Sequence, residues 1–146
     1  MVKDADVKEV MCAYNRFEGD PCCGSNRLLT HILREEWGFK GISVADCGAI
    51  ADFYKTNAHQ THTDAVTASA NAVLSGTDLD CGSSYKSLAE SVKNGYITEK
   101  EIDISVRRLL FARFQLGEMD DINDVSWSDI PYSVVSSAMH DSLALD

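Results

Sequence analysis

The stretch "GISVADCGAI", residues 41–50, is an apolar run that ends abruptly in an acid, Asp46, followed by a cysteine and a glycine. Gly41-Ile42-Ser43-Val44-Ala45 has the length and β-branched content of a buried strand. A carboxylate at the tip of such a strand, where the chain turns, has two readings. It closes a turn, or it does chemistry as a nucleophile, a general base or a metal ligand.

The flanking segments say how that strand is used. Upstream, "VKEVMCAY" (7–14) is a second strand, and "NRFEGDPCCG" (15–24) is a loop marked by Gly and Pro. Ser25 is placed to cap a helix over 26–37, where Leu28, Leu29, Ile32 and Leu33 recur at helical spacing and Gly38 stops the run. Downstream, a long loop reaches about His62, and "TDAVTASANAVLSG" (63–76) is a helix of small residues. "TDLDC" (77–81) is the third strand and "SYKSLAESVKN" (84–94) the next helix. Thr98 and Glu101 form a capping box that opens a long helix ended by Gly117. The order β-α-β-α-β-α-α predicts parallel strands. The loops after the first two strands are long, about 10 and 16 residues, whereas the helix-to-strand returns "GFK" and "SG" are minimal. Both (β/α)8 barrels and doubly wound sheets bind ligands at the C-terminal ends of their strands, so this asymmetry does not choose between them. In either fold Tyr14, Asp46 and Asp80 lie at or near the functional rim.

Composition narrows the partners. The chain has 146 residues and a formal net charge of -10, with no Lys/Arg cluster, so neither nucleic acid nor an anionic membrane is an expected partner. No apolar run is long enough for a transmembrane helix, and "MVKDADVKEV" lacks the apolar centre of a signal peptide. The five cysteines show no zinc spacing, and an odd count leaves at least one thiol unpaired within the chain. Cys22-Cys23 and Arg16 fall in the first rim loop, where they shape a pocket without an assigned role. A strand starting almost at the first residue and a last helix, "SSAMHDSLALD" (136–146), without a C-cap are read as marks of a piece of a longer protein. Three strands cannot close an eight-strand barrel, which needs ~250 residues.

"VMCAYNRFEGDPCCGSNRLLTHILREEWGFKGISVADCGAI", then "GTDLDCG" and "YITEKEIDISVRRLLFARFQLGEMDD", resemble in order and spacing the nucleophile region of family 3 glycoside hydrolases. The resemblance is to the β-xylosidase-like branch and covers most of the chain. It implies that residues 1–118 are the last three or so βα units of a (β/α)8 catalytic domain. Residues 119–146 would then be a linker toward an absent α/β sandwich domain. It implies hydrolysis of terminal β-D-xylosyl or β-D-glucosyl residues of oligosaccharides by a retaining double displacement, with no cofactor and no metal.

The family's "SDW/SDC" motif falls on Ala45-Asp46-Cys47, which makes Asp46 the nucleophile; the usual serine is Ala45 here. Retaining glycosidases use two carboxyls about 5–5.5 Å apart. The nucleophile must stay ionised and so needs hydrogen-bond donors. Tyr14, in "AYN", matches the family tyrosine beside the nucleophile, and strands only ~4.8 Å apart let a phenol on one tip reach a carboxylate on the next. Cys47 takes the substrate-contacting place where many relatives carry a stacking Trp, and that sugar platform is lost. Cys47 and Cys81 end neighbouring strands at comparable height, which allows a disulfide or two buried thiols.

The acid/base, usually a Glu of the second domain, has no counterpart among Glu18, Asp20 or Asp52, so the isolated chain is expected to be inactive. Rival readings are a carbohydrate-binding or structural module and a metal-dependent barrel using Asp78 and Asp80, two residues apart on one face. His59 and His62 form a rim loop or half of a metal site. The expected compartment of the parent protein is the periplasm or the exterior.

Overall fold

A computed structural model describes residues 2–145 of the chain. Its strands are β1 (Glu9–Cys12), β2 (Arg16–Phe17), β3 (Asp20–Pro21), β4 (Ile42–Ala45) and β5 (Leu79–Asp80). β4 pairs in parallel with β1 on one side and β5 on the other, giving the order β1-β4-β5. The register sets Cys12 against Ala45 and Ala45 against Asp80, so the three C-terminal tips share one edge of the sheet. The loop expected at 15–24 contains a two-residue ladder, β2 against β3. Its turn is Glu18-Gly19, both at positive φ (51° and 99°), the backbone that a two-residue hairpin demands and glycine supplies at least cost.

One face of the sheet is packed. Cys12 and Ala45 meet Leu29, Leu33, Ala68 and Ala72 in a continuous core with Ile50 and Phe53. Helix α1 (Ala65–Ser75) contributes Ala68 and Ala72 to this core, small side chains like the Ala45 of β4. Asp64 caps α1 by accepting from the Thr67 N–H at 2.8 Å. The other face carries the in-register row Met11, Val44 and Leu79, with Met11 62% and Leu79 42% exposed.

The helix expected at 26–37 forms over Arg27–Glu36, but it is wound as a π helix, with Trp37 N–H donating to Ile32 C=O at 3.0 Å. Ser25 does cap it, its Oγ accepting from Leu28 N–H at 3.3 Å. The next expected helix divides into a 3-10 turn, Ser84–Ser87, and α2 (Leu88–Lys93). Ala70, Val73 and Ile97 make a second core with Leu88, Val92 and Ile102. The long helix is α3 (Glu99–Gln115). The chain forms two compact units, residues 1–112 and 113–146. The second contains 3-10 turns at Ile122–Asp124 and Tyr132–Val134 and helix α4 (Ala138–Leu145), with Val125 buried.

The expected third strand, 77–81, is reduced to two residues for a visible reason. The side chain of Asp78 takes the Ser43 N–H at 3.0 Å, in place of a ladder carbonyl. The same carboxylate, wholly buried, accepts from Arg34 at 2.6 Å and Arg108 at 2.7 Å. Burial pushes the Arg34 guanidinium below its ordinary pKa, and the charge of Asp78 opposes that shift. The acid therefore ties β4, the π helix and α3 together. Asp78→Ala leaves two part-buried guanidiniums facing an empty site, and a loss of about 3–5 kcal/mol is expected in urea denaturation.

The capping box forms as hydrogen bonds from the Thr98 N–H and hydroxyl to one Glu101 oxygen at 2.5 and 2.6 Å. These bonds hold the Glu101 carboxyl below its ordinary 4.5. A lowered folded pKa means that the cap is fully present above 4.5 and is lost as pH falls through the lowered value. Exchange of the Thr98 amide, corrected for intrinsic rate, should accelerate over that acid range, and Glu101→Gln should remove the pH dependence.

Candidate active site

Asp46 is the first residue after β4, and its N–H still donates to Cys12 C=O at 3.1 Å, so the ladder holds its backbone in place. One carboxylate oxygen, Oδ1, accepts from the Cys47 N–H at 2.7 Å and from the Tyr14 hydroxyl at 3.1 Å. Among the described residues no donor reaches Oδ2. The arrangement keeps one oxygen fixed and the other available. Both donors are neutral, so they hold the oxygen without bringing a countercharge to it.

Tyr14 comes from the tip of β1, as strand adjacency predicts. Its hydroxyl also lies 2.7 Å from the Cys47 carbonyl and shares its single hydrogen between the two acceptors. The phenol pKa is raised above 10.0, first by desolvation, then by the hydrogen bond and charge of Asp46, then by the charge of Asp52.

Cys47 is bonded to Cys81 through sulfur, with Cα atoms 4.3 Å apart. Gly48, at φ 84°, turns the chain back so that its N–H donates to Cys81 C=O at 2.6 Å. The loop after Asp46 is thereby fixed to the tip of β5. Ala49, Ile50 and Phe53 then enter the core, so the first half of this long loop is packed.

A second disulfide, Cys12–Cys23, joins β1 to the turn that precedes the π helix, and Cys22 is the buried free thiol. Sequence reading did not pair Cys12 with Cys23. The hairpin between them brings them together, and no local pattern announces a ladder of two residues.

The acids and histidines proposed for metal binding go elsewhere. Both oxygens of Asp78 are occupied by Arg34, Arg108 and Ser43. Asp80 turns to the Tyr85 N–H at 3.1 Å. His62 lies 5.4 Å from the Phe53 ring and bonds Thr61, and burial holds its imidazole below the ordinary 6.5, opposed by Asp64 and Asp20. His59 bonds Arg16 and the Tyr14 carbonyl. Among the described residues no three such side chains converge on a metal position. No described helix is long and apolar enough to cross a membrane.

Residues 1–112 match the family model described as the glycosyl hydrolase family 3 N terminal domain. The chain belongs to glycosyl hydrolase family 3. It is 55% identical over 148 residues to a xylan 1,4-β-xylosidase of Xylanibacter ruminicola, a match covering 100% of this chain and 17% of that protein. It is 37% identical over 139 residues to an exo-1,4-β-xylosidase of Aspergillus niger, covering 88% of the chain and 17% of that relative. Among solved structures it resembles a family 3 exo-β-xylosidase in complex with a xylobiose aziridine probe. That likeness has TM-score 0.84 and 32% identity, over 98% of this chain and 18% of that one. A β-glucosidase of Listeria innocua in complex with isofagomine superposes with TM-score 0.73 at 27% identity, over 86% of this chain and 18% of that one. This family 3 chain thus spans under a fifth of the length of these relatives.

The link between Tyr14 and Asp46 can be read directly. Asp46→Asn removes the carboxylate charge that raises the phenol. The Tyr14 titration should then move down toward 10.0, as followed by the ring carbon chemical shift, while Tyr85 stays where burial holds it.

Proposed function

We propose that this chain is the nucleophile-bearing part of a retaining, exo-acting β-glycosidase that removes terminal β-D-xylosyl residues from oligosaccharides, with β-D-glucosyl residues the second choice. The observation that carries the reading is Asp46 at the shared edge of the parallel tips, with Oδ1 held by two neutral donors and Oδ2 unengaged. Oδ2 attacks the anomeric carbon as the glycosidic bond breaks, and a separate acid protonates the leaving oxygen. The glycosyl-enzyme is then opened by water, which that same group, now a base, deprotonates, so the β configuration returns. Tyr14 holds Asp46 during attack, and Cys47 presents a disulfide edge to the sugar in place of an aromatic platform.

We further infer that residues 1–118 are the last three βα units of a (β/α)8 domain, and that 119–146 lead toward an α/β sandwich that supplies the acid/base. The bare sheet face supports this: Met11 and Leu79 stand exposed in register, as residues do that fill the inside of a closed barrel. So do Ile104, Leu110 and Phe111 on α3, which leave apolar surface for further chain to cover. The two disulfides favour an oxidising compartment, hence a periplasmic or secreted parent. The preference for xylose rests on the named activity of the bacterial and fungal relatives.

In the full-length polypeptide carrying this segment, Asp46→Asn should lower turnover of 4-nitrophenyl β-D-xyloside by about 10³-fold or more. Asp46→Gly with azide should yield an α-glycosyl azide. Residues 1–146 alone should show no turnover. Sugar binding with no turnover, unchanged by Asp46→Asn, would support a carbohydrate-binding module instead.

A further inference from the structure

The reaction as written makes no use of Arg16 and His59, yet the two are built around the backbone of Tyr14. Arg16, the first residue of β2, directs Nε–H to His59 Nδ1 at 3.3 Å, and its terminal NH2 group donates to the His59 carbonyl. Its other terminal nitrogen reaches the Gly19 carbonyl at 3.4 Å, across the hairpin turn. On the far side of the imidazole, His59 Nε2 lies 2.7 Å from the Tyr14 carbonyl oxygen.

The partners fix the tautomer. A guanidinium only donates, so the Nδ1 that faces it must accept. A carbonyl only accepts, so Nε2 carries the hydrogen. The neutral Nε2–H form of His59 therefore uses each ring nitrogen once. The His59 backbone is fixed as well, its N–H donating to Asp52 C=O at 2.8 Å, next to the buried Phe53.

Tyr14 needs such a hold. The β1 ladder ends at Cys12, and Tyr14 is 46% exposed, so neither strand pairing nor a place in the core fixes it. The hydroxyl nonetheless has to meet Asp46 Oδ1 and the Cys47 carbonyl together. We propose that His59, oriented by Arg16, is a positioning residue that clamps the Tyr14 main chain and so delivers the Tyr14 hydroxyl to the nucleophile. The proposal rests on the reading of Asp46 given above. It adds that the loop following the nucleophile reaches back across the sheet edge to hold the strand tip that precedes it.

A residue acting through Tyr14 loses its effect once the Tyr14 hydroxyl is gone. In the full-length enzyme, His59→Leu should lower kcat on 4-nitrophenyl β-D-xyloside about tenfold with KM within about twofold. In a Tyr14→Phe background the same change should cost less than about twofold. His59→Gln keeps an N–H near the Nε2 position and should recover to within about threefold of the parent. His59→Asn places an oxygen near Nδ1 but has no donor long enough for the Tyr14 carbonyl, and should not recover. The Gln/Asn contrast stands even if the Leu variant fails to fold. Equal costs of His59→Leu in both backgrounds, or equal activity of the Gln and Asn variants, would overturn the clamp. Asp46→Asn run alongside separates the two levels: retained turnover there overturns the nucleophile reading itself, and the clamp with it.

Discussion

The parallel pairing of β4 with a strand on each side is the constraint from which the site follows. Because β1, β4 and β5 run the same way with Cys12, Ala45 and Asp80 in register, the residues just beyond these tips emerge together. Tyr14, Asp46 and Cys81 become neighbours without any of the loops having to search for one another. A slip of one residue in β4 would send Ala45 to the bare face and Val44 into the helix-side core. The alternation of β4 between core and bare face thus goes with its register, and the register sets where its tip residues emerge. The Cys47–Cys81 disulfide then secures the tips of β4 and β5 beyond the last ladder bond.

Function is separated from stability by face and by end. The helix side of the sheet carries the apolar core and the buried Asp78 with its two arginines. The C-terminal edge carries half-exposed polar groups that a core would not tolerate. Asp78 and Asp80 show why a face-sharing pattern is a weak guide to metal chemistry. Period two does put the pair on one side of the chain, but that side meets helices, and the helices bring Arg34, Arg108 and the Tyr85 N–H.

Features that depend on local chemistry were legible in the sequence. β1 and β4 are apolar runs, Gly76 ends α1, and the Thr98–Glu101 pair is a spacing signal with its own hydrogen bonds. The resemblance that set Tyr14 beside Asp46 also relied on a contiguous motif. What could not be read depends on distant parts meeting. The two-residue hairpin that brings Cys23 to Cys12 across 11 residues, the π winding of 27–36 and the use of His59 by Tyr14 each need either a partner outside the local pattern or a backbone choice no side chain dictates. The one available signal for His59 was a histidine in a loop following a strand-tip acid, a pattern equally suited to a solvated loop.

Asp46 and Asp78 hold the same functional group in opposite ways, and the difference lies in their donors. Asp78 has both oxygens engaged, by two guanidiniums and a backbone N–H, in a buried site, so neither oxygen is left to meet another group. Asp46 has one oxygen engaged, by a phenol and a backbone N–H, in a half-exposed position. Neutral donors keep a carboxylate ionised at little cost to its nucleophilicity, whereas a cation in contact would lower both its basicity and its reach. The attack proposed for Asp46 forms a bond to carbon that is later broken. The support given to Asp46 suits that task, and the support given to Asp78 would defeat it.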